Sequence, residues 1–555
     1  MMSSSTPIQR DTRTAVLRVL AALLVAVALR VGLLAAGVVP FNADEAVVGL
    51  MARHILQGER PVFFYGQAYL GSLDAWLVAA TFTLAGPSVF AIRLVQIALF
   101  LGTVITTYLL GLKIYGRRWI GGAAALFLAV PPVLFTLYST VSLGGYGEVL
   151  FLGNLCLLLT LYLLNPNPSR SAGRPARLRS AAWCALGILG GLGFWAFPLI
   201  LVYLVPILVV TLAVYRRQLA ALVLPGVLCA AGFVVGAWPW LAYTAAHGGI
   251  TVLETGGQAI AGASSSNPVF AVAQHTFNFL LFGLTAIWGL RPPWSASFLA
   301  LGLAPFAIAL NCGVLLFAAR RTVERRDGAT VGRCLLAGTA VTVVLGFVLT
   351  PFGADPSGRY FLPVAAPLAL FTAEMLHWLR LRRRQRRSPG RKWFGQSLAL
   401  GLIAFNWWGN IQAAANFPPG LTTQFDASTQ IDQRALPQLI EFLRAHGETR
   451  GYTDYWVEYP LAFESQEDLI FVARLPYHAD LQVTPRDDRY APYDSLVSVS
   501  PRVAYITARQ PELDARLRDG LNRLAVSYRE TAVGDFRVFY ALSRRVAPEE
   551  FGLGV

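Results

Sequence analysis

Residues 15–45 read AVLRVLAALLVAVALRVGLLAAGVVPFNADE, a predominantly apolar run that ends in an acid pair, Asp44-Glu45. About 17 to 25 such residues cross a bilayer as a helix. Arg10, Arg13 and Arg18 give the run the look of a secretion signal, but it is too long for a signal core and contains Arg30, so it reads as an uncleaved anchor. Working outward, further runs of spanning length lie near 88–112, 119–137, 148–164, 181–197, 198–215, 219–240, 297–318, 334–350, 360–379 and 395–413. The composition fits eleven spans: 55% of the 555 residues are hydrophobic and 14% charged, with a mean hydropathy of +0.52, against roughly 25% charged in an ordinary soluble domain. A cytosolic enzyme, a disordered regulator and a collagen-like fibre are excluded.

The formal charge of +15 is unevenly placed. Residues 1–413 hold 31 Lys+Arg and 11 Asp+Glu, whereas residues 414–555 hold 15 and 20. Neither part has the basic stripe with interleaved aromatics that nucleic acid needs. Cytoplasmic loops are enriched in Lys and Arg. With the N-terminus inside, six inner segments carry 24 Lys+Arg; the outer loops before the tail carry Arg53, Arg60, Arg291 and Arg359. The run RLRRRQRRSPGRK (380–392) is then an inner loop touching anionic lipid heads. The expectation is a polytopic α-helical membrane protein of the cell (inner) membrane: a unit of residues 1–413 with outer loops 40–87 and 241–296, and an extracytoplasmic α/β domain, 414–555. In loop 40–87, stretches Glu45–Leu56 and about Leu70–Leu84 read as helices along the membrane face. The segment at 271–290 is apolar enough to span, but counting it would put the acidic tail inside and reverse the parity of two basic loops, so it reads as re-entrant or interfacial. In the tail, helical and strand patterns alternate from ALPQLIEFLRAHG to YRETAVGDFRVFYAL.

Cys156, Cys184, Cys229, Cys312 and Cys334 fall in apolar runs without a CxxC pair or a Cys/His cluster, and read as small core residues. His54, His247 and His275 are isolated from Cys and from one another, and no P-loop, dinucleotide fingerprint, HExxH or GxSxG is present. Attention falls on outer-face carboxylates, because charges at membrane depth are costly and turn toward a cavity or a partner. Asp44 and Glu45 follow the first span, and Glu148 opens the fourth after TVSLGGYG. Each equally suits a helix start, where carboxylates cap free amides and favour the dipole. The string FFYGQAYLG (63–71) brings together Tyr65, Gln67 and Tyr69, suited to sugar hydroxyls and ring faces or to an interfacial aromatic belt. ADPSGRYFLP offers Arg359 and Tyr360, a phosphate ligand or a snorkelling anchor.

Taken together, these features resemble the C-type glycosyltransferases. FNADEAVVGLMARHILQGERPVFFYGQAYLGSLDA looks like the bacterial branch related to protein O-mannosyltransferases and aminoarabinose transferases. GGYGEVLFLGNL, WAFPLILVYLVP, SGRYFLPVAAPL and GYTDYWVEYPLAF fit the same group, so the likeness runs over most of the chain and is most specific at 41–74 and 144–154. The resemblance implies transfer of a sugar, with inversion, from a polyprenyl-phosphate donor to an acceptor on the outer face, be it protein, lipid or glycan. It implies Asp44 as the catalytic acid of the first loop, Glu148 as that of the second, and Arg359 as counterpart of the phosphate-binding Arg. The metal-dependent oligosaccharyltransferase branch carries DxD where this chain has Ala43-Asp44-Glu45-Ala46, which argues against a required divalent metal. The working expectation is an outer site between the first two outer loops. Asp44 is its base, Glu45 and Glu148 position donor or acceptor, and Tyr65, Gln67, Tyr69, Arg359 and Tyr360 bind substrate. A flippase of lipid-linked sugars and a non-catalytic scaffold of envelope assembly are the rivals. Transporters generally carry internal repeats, and none is evident here.

Overall fold

In the computed structural model, residues 7–164, 176–258, 267–324, 327–385, 394–417, 419–478 and 480–553 are described. Parts of the basic run (386–392) and of the polar stretch GGQAIAGASSSNP (259–266) lie outside them. Among the described residues, ten helices are long and apolar enough to cross a membrane. Nine coincide with expected spans, from Val16–Ala35 to Arg359–Arg382. The tenth is Pro268–Ile287, read above as re-entrant or interfacial, whose length and composition also suffice to cross. The run 119–137 is not one helix: it breaks into Arg118–Ala129 and Val133–Tyr138. Pro131 and Pro132 stand at the break, and neither can donate the amide that a continuous helix needs. The last run, 395–413, lies within the helix Phe394–Asn416.

The chain divides into two units: Met1–Ala35, Tyr69–Leu73 and Leu94–Ala413 form one, and Ala36–Ala68, Asp74–Arg93 and Ala414–Val555 the other. Most of the first outer loop, grouped above with the spans, therefore folds with the tail. In the membrane unit, helices Ala176–Ala196 and Val223–Gly236 meet through small residues. A Cβ added at Gly187 or Gly191 would overlap the carbonyl oxygen of Cys229 or Phe233, and one at Gly232 that of Cys184. Such close backbone approach is how spans associate where lipid removes the hydrophobic drive. The five cysteines are free.

The second unit carries a five-stranded sheet of β3 (Arg450–Thr453), β4 (Ile470–Ala473), β5 (Ala504–Ala508), β6 (Arg529–Val533) and β7 (Phe536–Tyr540), in the order β4-β3-β5-β7-β6. β4, β3 and β5 run parallel, and β7 pairs antiparallel with β5 and β6. β1 (Phe63–Phe64) and β2 (Gln67–Gly71) form a separate two-stranded ladder. Leu439, Val457, Leu461, Phe471, Ile506 and Val538 build the core around the larger sheet. Helix Tyr455–Glu464 starts where Asp454 caps it by accepting from the Trp456 amide (2.8 Å). Helix Ala43–Gln57 packs against it. The first of the two loop helices is covered by protein along most of its length: Ala43 and every residue from Glu45 to Ala52 are buried. The sequence AVVGLMA is apolar all round the helix, which is the mark of a buried element.

Candidate functional site

In the second unit, the helix start at residue 43 is organised by Asn42, which sequence reading passed over. Asn42 is the N-cap, its side-chain oxygen accepting from the Glu45 amide at 3.0 Å. Neither acid is therefore needed as the cap, and the two side chains meet different partners. Glu45 is fully buried and held at both oxygens by Arg93: Nε donates to Oε1 (2.9 Å) and Nη2 to Oε2 (2.7 Å). Arg93 also donates to the carbonyls of Val39 and Pro40, both at 3.0 Å. Two parallel charge-assisted bonds are among the strongest pairings a carboxylate makes. Glu45 thus fixes the chain where it enters the loop.

Asp44 is 22% exposed at its side chain. Its Oδ1 accepts from the Tyr455 hydroxyl at 2.5 Å and lies 3.9 Å from Arg489 Nη2. Arg489 lies over the rings of Tyr455 (4.4 Å) and Phe64 (5.2 Å). With the Gln67 amide oxygen turned toward it, Arg489 donates there from Nη1 (2.7 Å) and Nη2 (3.2 Å). Gly66, at φ +70, leaves room for the Arg489 stem: a Cβ there would lie 3.0 Å from Arg489 Cγ. Burial opposes the Arg489 charge, yet Tyr455, Asp44 and Asp487 hold its pKa above the ordinary value. Burial also raises Tyr455, with Arg489 opposing and Asp44 adding to the rise. Asp487 is raised by burial and further by Asp44, and Asp454 is pushed up to about 7 by burial.

Tyr65 joins another cluster of the same unit. Its hydroxyl donates to Glu59 Oε2 (2.7 Å) and meets His54 Nδ1 (2.9 Å), and its ring stacks on Tyr490. His54 Nε2 faces Glu467 Oε1 (2.9 Å). Burial opposes the Glu467 charge, but bonds from His54, Tyr493 and Arg53 hold it down to about 2.

In the membrane unit, Glu148 is buried in the first turn of helix Tyr146–Leu163, which begins after Gly145 at φ +76. Arg359 Nε lies 2.7 Å from Asp355 Oδ2, with 35% of its side chain exposed and its guanidinium 5.3 Å from the Tyr360 ring centre. Tyr69 and Tyr360 share the lining of an apolar groove of ≈ 750 Å³ with Phe197, Val343, Phe347 and Phe352. Arg30, fully buried within the first span, donates to Ser139 Oγ (2.5 Å) and stacks over Phe100 (3.7 Å). Arg291 is spent on backbone carbonyls, those of Phe282, Pro292 and Ser295 among them, and burial pulls it down to about 10. Among the described residues, no group of three or more His, Cys, Asp or Glu is arranged to hold a metal ion.

No family model and no curated protein sequence matches the chain. Solved structures do. ArnT from Cupriavidus metallidurans bound to undecaprenyl phosphate matches with a TM-score of 0.54 at 15% identity, over 95% of this chain and 98% of that one. The same protein in the apo state gives 0.59 at 14%, over 95% and 98%. The archaeal oligosaccharyltransferase AglB from Archaeoglobus fulgidus, in complex with an inhibitory peptide and a dolichol-phosphate, gives 0.51 at 14%, over 96% of this chain and 74% of that one. The chain thus shares the fold of ArnT and AglB, and with ten helices of spanning length and composition among the described residues it is an integral membrane protein.

Proposed function

We propose that this chain is a glycosyltransferase that moves a sugar, with inversion, from a polyprenyl-phosphate donor to an acceptor hydroxyl or amine on the outer face of the cell membrane. The setting of Asp44 carries the reading: capping falls to Asn42, and Asp44 keeps an ionisable side chain tied at one oxygen and partly open to solvent. Asp44 accepts the acceptor's proton as the acceptor oxygen or nitrogen bonds to the anomeric carbon and the polyprenyl phosphate departs. General-base help of this kind is worth roughly 10²–10⁴-fold. Arg359 offsets the charge gathering on the departing phosphate, Glu148 positions substrate, and the groove beside Tyr69 and Tyr360 takes part of the isoprenoid tail. The ligands bound by the two fold relatives, undecaprenyl phosphate and a dolichol-phosphate, support a donor of this class. The N-terminus is cytoplasmic and residues 414–555 extracytoplasmic in this reading, which rests on the Lys+Arg partition.

The test is to incubate purified protein with a panel of polyprenyl-phosphate sugars and acceptors and to measure released polyprenyl phosphate. Asp44→Asn should fold and bind donor yet lose on the order of 10²-fold or more in turnover. Near-normal turnover of that variant on the true substrate would sink the mechanism. A flippase or a scaffold would release no polyprenyl phosphate at all.

A further inference from the structure

The C-terminal part of the chain supplies Asp44 with two partners, Tyr455 and Arg489, more than 400 residues away in sequence. Both act on the same oxygen, Oδ1. Among the described residues Oδ2 has no hydrogen-bond partner, and the side chain is 22% exposed. A carboxylate held at one oxygen by a donor and a cation presents its second oxygen in a fixed direction. The two partners are themselves anchored. Arg489 is wedged between the Tyr455 and Phe64 rings, its backbone amide donates to the Tyr459 hydroxyl (2.8 Å), and Tyr455 is buried. A surface ion pair thrown together by chance would have none of this support.

We propose that Tyr455 and Arg489 are positioning residues for the transfer reaction: they hold Asp44 through Oδ1 and leave Oδ2 as the atom that takes the acceptor's proton. The proposal rests on the reading of Asp44 as general base. It gives the tail a place in the chemistry, as part of the setting of that base. Among the described residues of its own unit, the charged and titratable groups acting on Asp44 are Tyr455 and Arg489, with Asp487 through space; Glu45, next to it in the helix, is occupied by Arg93.

The test is the pH dependence of kcat/KM for polyprenyl-phosphate release by full-length protein. Losing the cation or the donor makes a carboxylate easier to protonate, so the acid limb should move to higher pH in Arg489→Gln and in Tyr455→Phe, by about one pH unit. Arg489→Lys keeps the charge and should return the limb to within a few tenths of wild type, while losing plateau rate with the planar stack. A merely structural role lowers the plateau and leaves the limb where it was. If Arg489→Gln does not yield monodisperse protein, Tyr455→Phe decides alone. The proposal is overturned if wild type transfers sugar, Asp44→Asn does not, and the profiles of Tyr455→Phe and Arg489→Gln superimpose on wild type after scaling. It is equally overturned if Asp487→Asn, and not these variants, moves the limb. Failure of the underlying reading looks different: wild type then releases no polyprenyl phosphate, or Asp44→Asn matches it.

Discussion

Replacing Glu45 with Gln separates the neighbouring acids by stability. Glu45 is fully buried, and Arg93, 7% exposed at its side chain, holds both of its oxygens. Gln keeps the shape and one acceptor but removes the charge, leaving Arg93 buried with only the Val39 and Pro40 carbonyls and an amide oxygen around it. Breaking a buried ion pair from one side costs roughly 3–5 kcal/mol. Because two carbonyls remain on Arg93, the lower end, about 3 kcal/mol, is the expected cost here. At about 1.4 kcal/mol per factor of ten, amide exchange across helix Ala43–Gln57 should accelerate by about 100-fold, as read by hydrogen–deuterium exchange of detergent-solubilised protein. Asp44→Asn gives a contrasting expectation. Asp44 is partly exposed, its contact to Arg489 is longer than a hydrogen bond, and Asn can still accept from Tyr455. Its exchange should rise less than about fivefold, a cost of no more than about 1 kcal/mol. Exchange in Glu45→Gln equal to wild type would refute the assignment of Glu45 as the residue that fixes the loop entry.

Two further outcomes are expected. In a chain freed of its five native cysteines, a cysteine at Ser495, exposed in the tail, should react with an impermeant thiol reagent in intact cells, while one at Gln218, exposed between two spans, should react only after permeabilisation. Reaction at Gln218 alone would reverse the orientation, and reaction at neither in intact cells would put the tail inside and make Pro268–Ile287 a full span. Arg359→Lys should weaken kcat/KM for the donor and Arg359→Ala should weaken it further, by roughly 10–100-fold, since Lys lacks the planar fork for two phosphate oxygens; equal rates in Arg359→Ala and wild type would reduce the residue to an anchor paired with Asp355.

The parts of the fold that were legible in the sequence are those written locally. Spans follow from the hydropathy of contiguous residues, and the exception, 119–137, fails where averaging hid Pro131 and Pro132. The tail's strands follow from alternating β-rich runs, and helix Tyr455–Glu464 from the cap that Asp454 supplies. The site was legible only in its local half. Asp44 stands out by its place after a span, but Tyr455 and Arg489 carry no local signal that points 400 residues back, and Arg93 was hidden within an apolar run. Tyr65 and Gln67 share one short string, yet the turn between β1 and β2 sends Tyr65 to His54 and Gln67 to Arg489.

The same geometry explains why an acid pair in the sequence is not a pair in the protein. Successive helical residues are turned about 100° apart, so two adjacent carboxylates in the first turn cannot face one partner together. With Asn42 taking the cap, one acid is free to point inward and the other sideways. Glu45 meets an arginine that reaches it at both oxygens and closes it off from solvent. Asp44 meets a hydroxyl and a more distant cation at one oxygen only, and stays partly exposed. A base needs an oxygen that can take a proton from an incoming group; a clamp needs both oxygens occupied. Of the two acids, only Asp44 meets the first requirement, and Glu45 meets the second, which is why the proposed mechanism gives the role of base to Asp44.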